Sequence, residues 1–195
     1  MELLDIKLIH QGEYLCYYEA SYCLPDGKTK IYEFVSRHGN RHDGSKVLTK
    51  DSFGKEFKAA AVIMFVLSED YDHALISREF RLGVNGWVYN NPAGLIDPGE
   101  TADEAIAREL KEETGLDLID ILYHMPVAYS MPGLSDDTSE FVICRAKGPF
   151  TPSTSPAEQI ECFWASKEEV KALLNDPNSR FSGRTQAVLA LWADM

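Results

Sequence analysis

The chain has 195 residues, 45% hydrophobic and 26% charged, which are ordinary globular values and room for one sizeable domain or a domain with an appendage. A formal net charge of −12 argues against a nucleic-acid binder, because a phosphate backbone is gripped mainly by positive charge. No apolar run approaches the ~20 residues of a membrane-spanning helix, and the start Met1-Glu2-Leu3-Leu4-Asp5 lacks the layout of a signal peptide, so a soluble, cytoplasmic protein is expected.

Residues 13–37 alternate and are rich in Tyr, Val, Ile and Phe, with a turn signal at Leu24-Pro25-Asp26-Gly27. They predict a β-hairpin or meander. Residues 38–52 are polar and hold Gly39, Asn40, Asp43, Gly44 and Ser45, which predicts a long loop or linker. A second unit starts near Lys55. Residues 59–67 and 74–80 read as buried strands, and 83–91 mix turn residues with Trp87, Val88 and Tyr89.

Residues 101–114 carry the strongest helix signal. Thr101 with Glu104 forms a capping box, and Gly115 is a stop. Residues 119–130 and 140–145 return to strand patterns, 148–156 form a Pro/Ser/Thr loop, and 167–174 and 185–192 predict two last helices. The four cysteines, Cys16, Cys23, Cys144 and Cys162, lack zinc-site spacing and read as small buried hydrophobes.

The chemistry gathers on the first helix. Glu109, Glu112 and Glu113 stand at i, i+3 and i+4, so their carboxylates share one face while Ala105, Ile106 and Leu110 face a core. Stacked carboxylates repel. They are either a solvated acidic face or the ligands of a hard cation such as Mg²⁺, with Mn²⁺ as the alternative.

The flanking residues bear on that choice. Gly94, Glu100, Arg108, Glu109, Leu110, Glu112, Glu113, Gly115 and Leu116 complete the pattern G-x5-E-x7-R-E-U-x-E-E-x-G-U, with U aliphatic. This pattern resembles the signature of the Nudix hydrolases at all nine fixed positions. The resemblance implies an α/β (α+β) Nudix fold, a mixed β-sheet sandwiched between helices, and hydrolysis of a nucleoside diphosphate linked to another moiety. It implies that Glu109, Glu112 and Glu113 hold metal together with the carbonyl of Ala93, and that Arg108 and Glu100 orient them.

Four stretches resemble the ADP-ribose pyrophosphatase branch of that family. They are Pro92-Ala93-Gly94-Leu95-Ile96-Asp97, Met131-Pro132-Gly133-Leu134-Ser135, Arg78-Glu79-Phe80-Arg81, and the arm from Asp26-Gly27 to Tyr32 and Arg37. That likeness implies an N-terminal antiparallel β-arm over 1–45, a Nudix domain over 55–195, and a homodimer built through the arm. It implies base stacking by Tyr32 or Tyr14, phosphate contacts from Arg37 and Arg81, substrate contacts at Pro132 and Gly133, and a catalytic base at Glu158, with Glu161 as the second candidate. The implied reaction takes ADP-ribose to AMP and ribose 5-phosphate. Where the branch usually has Glu-Leu/Phe-Pro-Ala-Gly, this chain has Asn90-Asn91-Pro92-Ala93-Gly94. The expected glutamate contact is missing, so either the site is rearranged or the substrate is another sugar nucleotide such as an NDP-hexose. A nucleoside triphosphatase and a non-catalytic nucleotide-sugar sensor complete the alternatives.

Overall fold

The computed structural model describes residues 1–195, which divide into two compact units. The first comprises residues 1–60 and 127–139. Its sheet has three antiparallel strands in the order β1 (Glu2–Gln11), β2 (Cys16–Cys23) and β3 (Thr29–Ser36). The expected turn joins β2 and β3. Gly27 sits at φ +81°, and Leu24 and Lys28 close the loop through backbone hydrogen bonding. Strand β1 escapes a search for alternation, because register shifts between Leu3 and Asp5 and between Leu8 and His10 interrupt the period of two.

Ile6, Tyr18, Ala20, Phe34 and Leu48 form this unit's core. Tyr18 is fully buried, and its phenol donates to the His38 carbonyl (2.7 Å) while accepting from the Leu48 amide (3.2 Å). Both hydroxyl valences are thus satisfied inside the core. The polar stretch 38–52 carries no strand or helix. Buried Asn40 holds it, with Nδ2 donating to the Arg37 carbonyl (2.6 Å) and Oδ1 accepting from the His42 and Asp43 amides.

The second unit comprises residues 61–126 and 140–195. Its sheet runs β11 (Ile160–Ala165), β5 (Ala74–Arg81), β4 (Ala61–Leu67), β10 (Thr138–Lys147), β8 (Asp117–His124). Strand β6 (Gly86–Asn90) pairs with β5, and β7 (Ala93–Leu95) pairs with β4. The mixed segment 83–91 therefore resolves into a 3-10 turn at Leu82–Val84 followed by β6. The run expected over 119–130 breaks around Met125-Pro126, since proline cannot donate to a ladder; Ala128–Tyr129 (β9) pairs separately with Thr138 and Ser139.

Strand β4 shows why the sheet is covered on both faces. Val62, Met64 and Val66 pack with Ala105, Ile106 and Leu110 of helix α1 (Ala102–Thr114). Phe65 and Leu67 pack with Val170 of α2 (Lys167–Asn175) and with Leu189 and Trp192 of α3 (Gly183–Asp194). Alternate residues thus serve opposite helical layers. All four cysteines are free, and burial pushes the Cys144 thiol up to about 12 and Cys162 to about 11, as fits inert packing residues. No helix is long and apolar enough to cross a membrane.

Candidate active site

Helix α1 is fixed at both ends before it meets the site. Thr101 and Glu104 complete the capping box, and Gly115 closes the C-terminus in the left-handed region. Its packing stripe leaves Arg108, Glu109, Glu112 and Glu113 off the core face, where β7 approaches. The Ala93 amide donates to Glu113 Oε2 at 3.2 Å. A Cβ added to Gly94 would lie 1.8 Å from Glu109 Cδ, so the glycine lets the strand pass this carboxylate where it now stands.

Arg108 organises the acidic face. Its Nε and Nη2 donate to the two Glu100 oxygens, both at 2.8 Å, in a fork-on-fork pair. Nη2 also donates to the Leu95 carbonyl (3.0 Å), and Nη1 donates to Glu109 Oε1 (2.7 Å) and Glu112 Oε2 (3.3 Å). The guanidinium holds the Glu100 carboxyl down at about 2, so this pair stays ionised at neutral pH. We expect Arg108→Lys to lower turnover about 10- to 100-fold, because an ammonium cannot span Glu100, Glu109 and Glu112 at once. Steady-state kinetics on the folded variant checks this, and turnover within twofold of the parent would refute the orienting role.

The carboxylates differ in environment. Burial raises the Glu113 pKa well above the ordinary range, with the charges of Glu109, Glu158 and Glu79 adding to it. Burial also raises Glu109, opposed by Arg108 and reinforced by Glu112 and Glu158. Glu112 is about half exposed. Concentrated carboxylate oxygens that raise one another's pKa are the donor chemistry of a hard divalent cation, and the glycine cradle at Gly94 leaves Glu109 room beside β7. As placed, no three such side chains converge at coordinating distance, since Arg108 Nη1 stands between Glu109 and Glu112.

The loop before β11 brings Glu158 into this field, since its charge is felt at both Glu109 and Glu113. The Thr154 amide bonds to the Glu112 carbonyl and the Thr151 amide to that of Thr114, both at 3.0 Å, which tethers the loop to α1. Ser153 Oγ donates to Glu158 Oε2 at 3.1 Å. Glu161 instead lies on β11, paired with Arg78 at 3.4 Å.

Glu79 joins this acidic group although no sequence motif marks it. It is one-sixth exposed, accepts from Arg81 Nη1 (2.6 Å), lies 3.5 Å from Asn90 Nδ2, and its charge reaches Glu113. The period of two in Arg78-Glu79-Phe80-Arg81 was the available signal, since it puts Glu79 and Arg81 on one face. Asn91 has a structural occupation. Buried, it donates to the Met64 carbonyl (3.0 Å) and accepts from Thr185 Oγ1 (2.6 Å), joining β4 to α3.

The other substrate candidates belong to the first unit. Tyr32 donates its phenol to the Gly133 carbonyl at 2.8 Å, and Arg37 pairs with Asp137 at 3.5 Å. Pro132 and Gly133 sit in a turn closed by bonds from the Leu134 and Ser135 amides to the Met131 carbonyl. Tyr14 is exposed and packs its ring on His42 at 4.7 Å.

Comparison with known proteins identifies the family of the chain. A family model described as the NUDIX domain matches residues 57–183. The chain is 31% identical over 144 residues to the ADP-sugar pyrophosphatase of Mus musculus, covering 73% of this chain and 60% of that protein. It is 31% identical over 144 residues to the ADP-ribose pyrophosphatase of Saccharomyces cerevisiae, covering 73% and 62%. The chain thus spans about three-fifths of the length of these relatives. A solved structure described as an ADP compounds hydrolase superposes with a TM-score of 0.70 at 19% identity, over 100% of this chain and 94% of that one, and shares its fold.

Proposed function

The chain belongs to the NUDIX family, and from that premise we propose that it hydrolyses the diphosphate linkage of a nucleoside diphosphate sugar, with ADP-ribose the leading substrate. The observation that carries this reading is the Arg108-ordered carboxylate face closed by Gly94 and joined by Glu158. The substrate class follows the names of the mouse and yeast relatives. One water adds across a P–O–P bridge, yielding AMP and ribose 5-phosphate.

Glu109, Glu112 and Glu113, with the Ala93 carbonyl, would hold divalent metal, Mg²⁺ first and Mn²⁺ as the alternative. When bound, such an ion neutralises charge developing on the phosphates and lowers the pKa of coordinated water. Arg108 and Glu100 keep the glutamates aimed. Glu158 takes the proton of the attacking water, and its position on a loop suits a base delivered after substrate binds. Glu158→Gln is expected to lower turnover about 10²- to 10⁴-fold with substrate affinity little changed. Full activity in that variant would pass the role to another acid.

The β-arm supplies the second half of the proposal. Ile31 is 52% exposed on the face of the three-stranded sheet opposite that of Ala20 and Tyr32, an apolar side chain that suits pairing with a second copy. In that dimer Tyr32 or Tyr14 would stack the base, Arg37 and Arg81 would meet phosphates, and Pro132 and Gly133 would shape the pocket. Light scattering should give a dimer for the parent and a shift toward monomer for Ile31→Lys; a monomeric parent would refute the arrangement. Product analysis with Mg²⁺ on ADP-ribose, ADP-glucose, GDP-mannose, NADH and dATP tests the substrate. AMP from ADP-ribose well ahead of the others supports the proposal, and turnover of dATP alone overturns it. A lead for an NDP-hexose would trace to Asn90 standing where the branch has glutamate.

A further inference from the structure

In a chain with 31 acidic and 19 basic residues, Arg81 and Arg180 both reach Gly86 at the far end of β5 and β6, and Arg184 follows four residues after Arg180. Arg81, the last residue of β5, pairs with Gly86 on β6 and is held by Glu79 at 2.6 Å. A Cβ added to Gly86 would lie 3.8 Å from Arg180 Nη1, so the Arg180 guanidinium stands over this strand pair. The segment that carries it is tied to β6. The Tyr89 amide bonds to the Arg180 carbonyl (2.7 Å), the Ser182 amide bonds to the Tyr89 carbonyl (2.9 Å), and the Tyr89 and Phe181 rings stack at 4.9 Å.

Arg184 follows in the first turn of α3. Its side chain is accessible to solvent, yet neighbouring atoms crowd it enough to lower its pKa, and the charge of Arg81 lowers it further. Neither Arg180 nor Arg184 donates a side-chain hydrogen bond or forms an ion pair. Both guanidinium groups therefore lack a protein acceptor, which leaves their donors available to an anion. Glu79 connects this place toward the acidic face, since it holds Arg81 and lies 3.5 Å from Asn90 Nδ2, three residues before Ala93.

We propose that Arg184 and Arg180, joined by Arg81, form a guanidinium wall beyond Glu79 that grips phosphate oxygens of the diphosphate substrate. This rests on the hydrolase reading above and adds to it two residues on and just before α3. The division of labour is chemical. The carboxylate face would hold the cation that neutralises the phosphates, whereas the wall takes phosphate oxygens directly as paired N–H donors that match a phosphate edge. The wall binds ground state and transition state alike, so it acts on affinity more than on turnover.

The test compares the parent, Arg184→Ala, Arg184→Lys and Arg180→Ala by kinetics on ADP-ribose and by thermal unfolding with inorganic pyrophosphate. We expect Arg184→Ala to raise KM about 10- to 100-fold with kcat within about threefold, and Arg180→Ala to act in the same direction. Arg184→Lys should recover part of the affinity. The stabilisation that pyrophosphate gives the parent should vanish in Arg184→Ala. Without ligand, Arg184→Ala should unfold at or above the parent temperature, because a crowded charge facing Arg81 has been removed. Parental KM and an undiminished pyrophosphate effect in Arg184→Ala would overturn the wall while leaving the hydrolase reading intact. A lowered unfolding temperature with unchanged KM would make Arg184 structural and likewise overturn it. Arg184-dependent pyrophosphate binding in a parent that hydrolyses no substrate would uphold the wall and remove the hydrolase reading.

Discussion

Glu113→Gln is expected to cut turnover by about a thousandfold and to leave a protein that, in chelator, unfolds at or above the parent temperature. The two effects have one cause. Glu113 is a carboxylate in a low-dielectric position with Glu109, Glu158 and Glu79 nearby, and one backbone amide is its hydrogen-bond partner. Nothing in the fold requires a negative charge there, so removing it relieves desolvation and repulsion together. The proposed cation would require it, and loss of that ligand would remove several kcal/mol of charge stabilisation from the reaction. The amide of glutamine keeps the volume, so packing against β7 persists. Kinetics with Mg²⁺ and thermal unfolding in chelator measure the pair of effects. Turnover within tenfold of the parent would exclude Glu113 from the metal site, and a sharp loss of stability would make it a structural residue.

Gly94→Ala tests the same site from the backbone. The added methyl would fall 1.8 Å from Glu109 Cδ, 1.9 Å from its Oε1 and 2.4 Å from its Cγ. Contacts so short force either the glutamate or strand β7 to move. Moving Glu109 would withdraw a proposed metal ligand and break its 2.7 Å bond to Arg108; moving β7 would disturb the pairing of Val62 with Gly94 and carry Ala93 away from Glu113. Either way we expect turnover to fall by more than about 10²-fold, with about 1–3 kcal/mol lost to overpacking. A variant that kept both activity and stability would show that Glu109 has freedom the packing denies it.

The sequence announced the parts of this site that are local. Helix α1 was legible because its signals are short-range: a capping box, a glycine stop, and charges and apolar residues separated at helical spacing. Strand β4 was legible as buried but not as two-sided, since only tertiary packing sends Met64 to α1 and Phe65 toward Trp192. Strand β1 was missed because its bulges break alternation. Glu79 stayed hidden for a different reason. Its importance arises from a neighbour 34 positions along the chain, and no local spacing records the approach of β5 to α1. Asn90 stands where the branch has glutamate, while the role of its neighbour Asn91 is invisible in sequence, because its side chain spans from the Met64 carbonyl to Thr185, far apart along the chain.

The central claim, metal-dependent cleavage of a nucleoside diphosphate sugar, is tested most directly by following ADP-ribose by phosphorus NMR with chelator-stripped protein, before and after Mg²⁺ is added. The account predicts an unchanged diphosphate signal until the metal arrives, then its replacement by two monophosphate signals, those of AMP and ribose 5-phosphate. Cleavage that proceeds unabated in chelator, or a diphosphate signal that survives Mg²⁺ and Mn²⁺ alike, would contradict it.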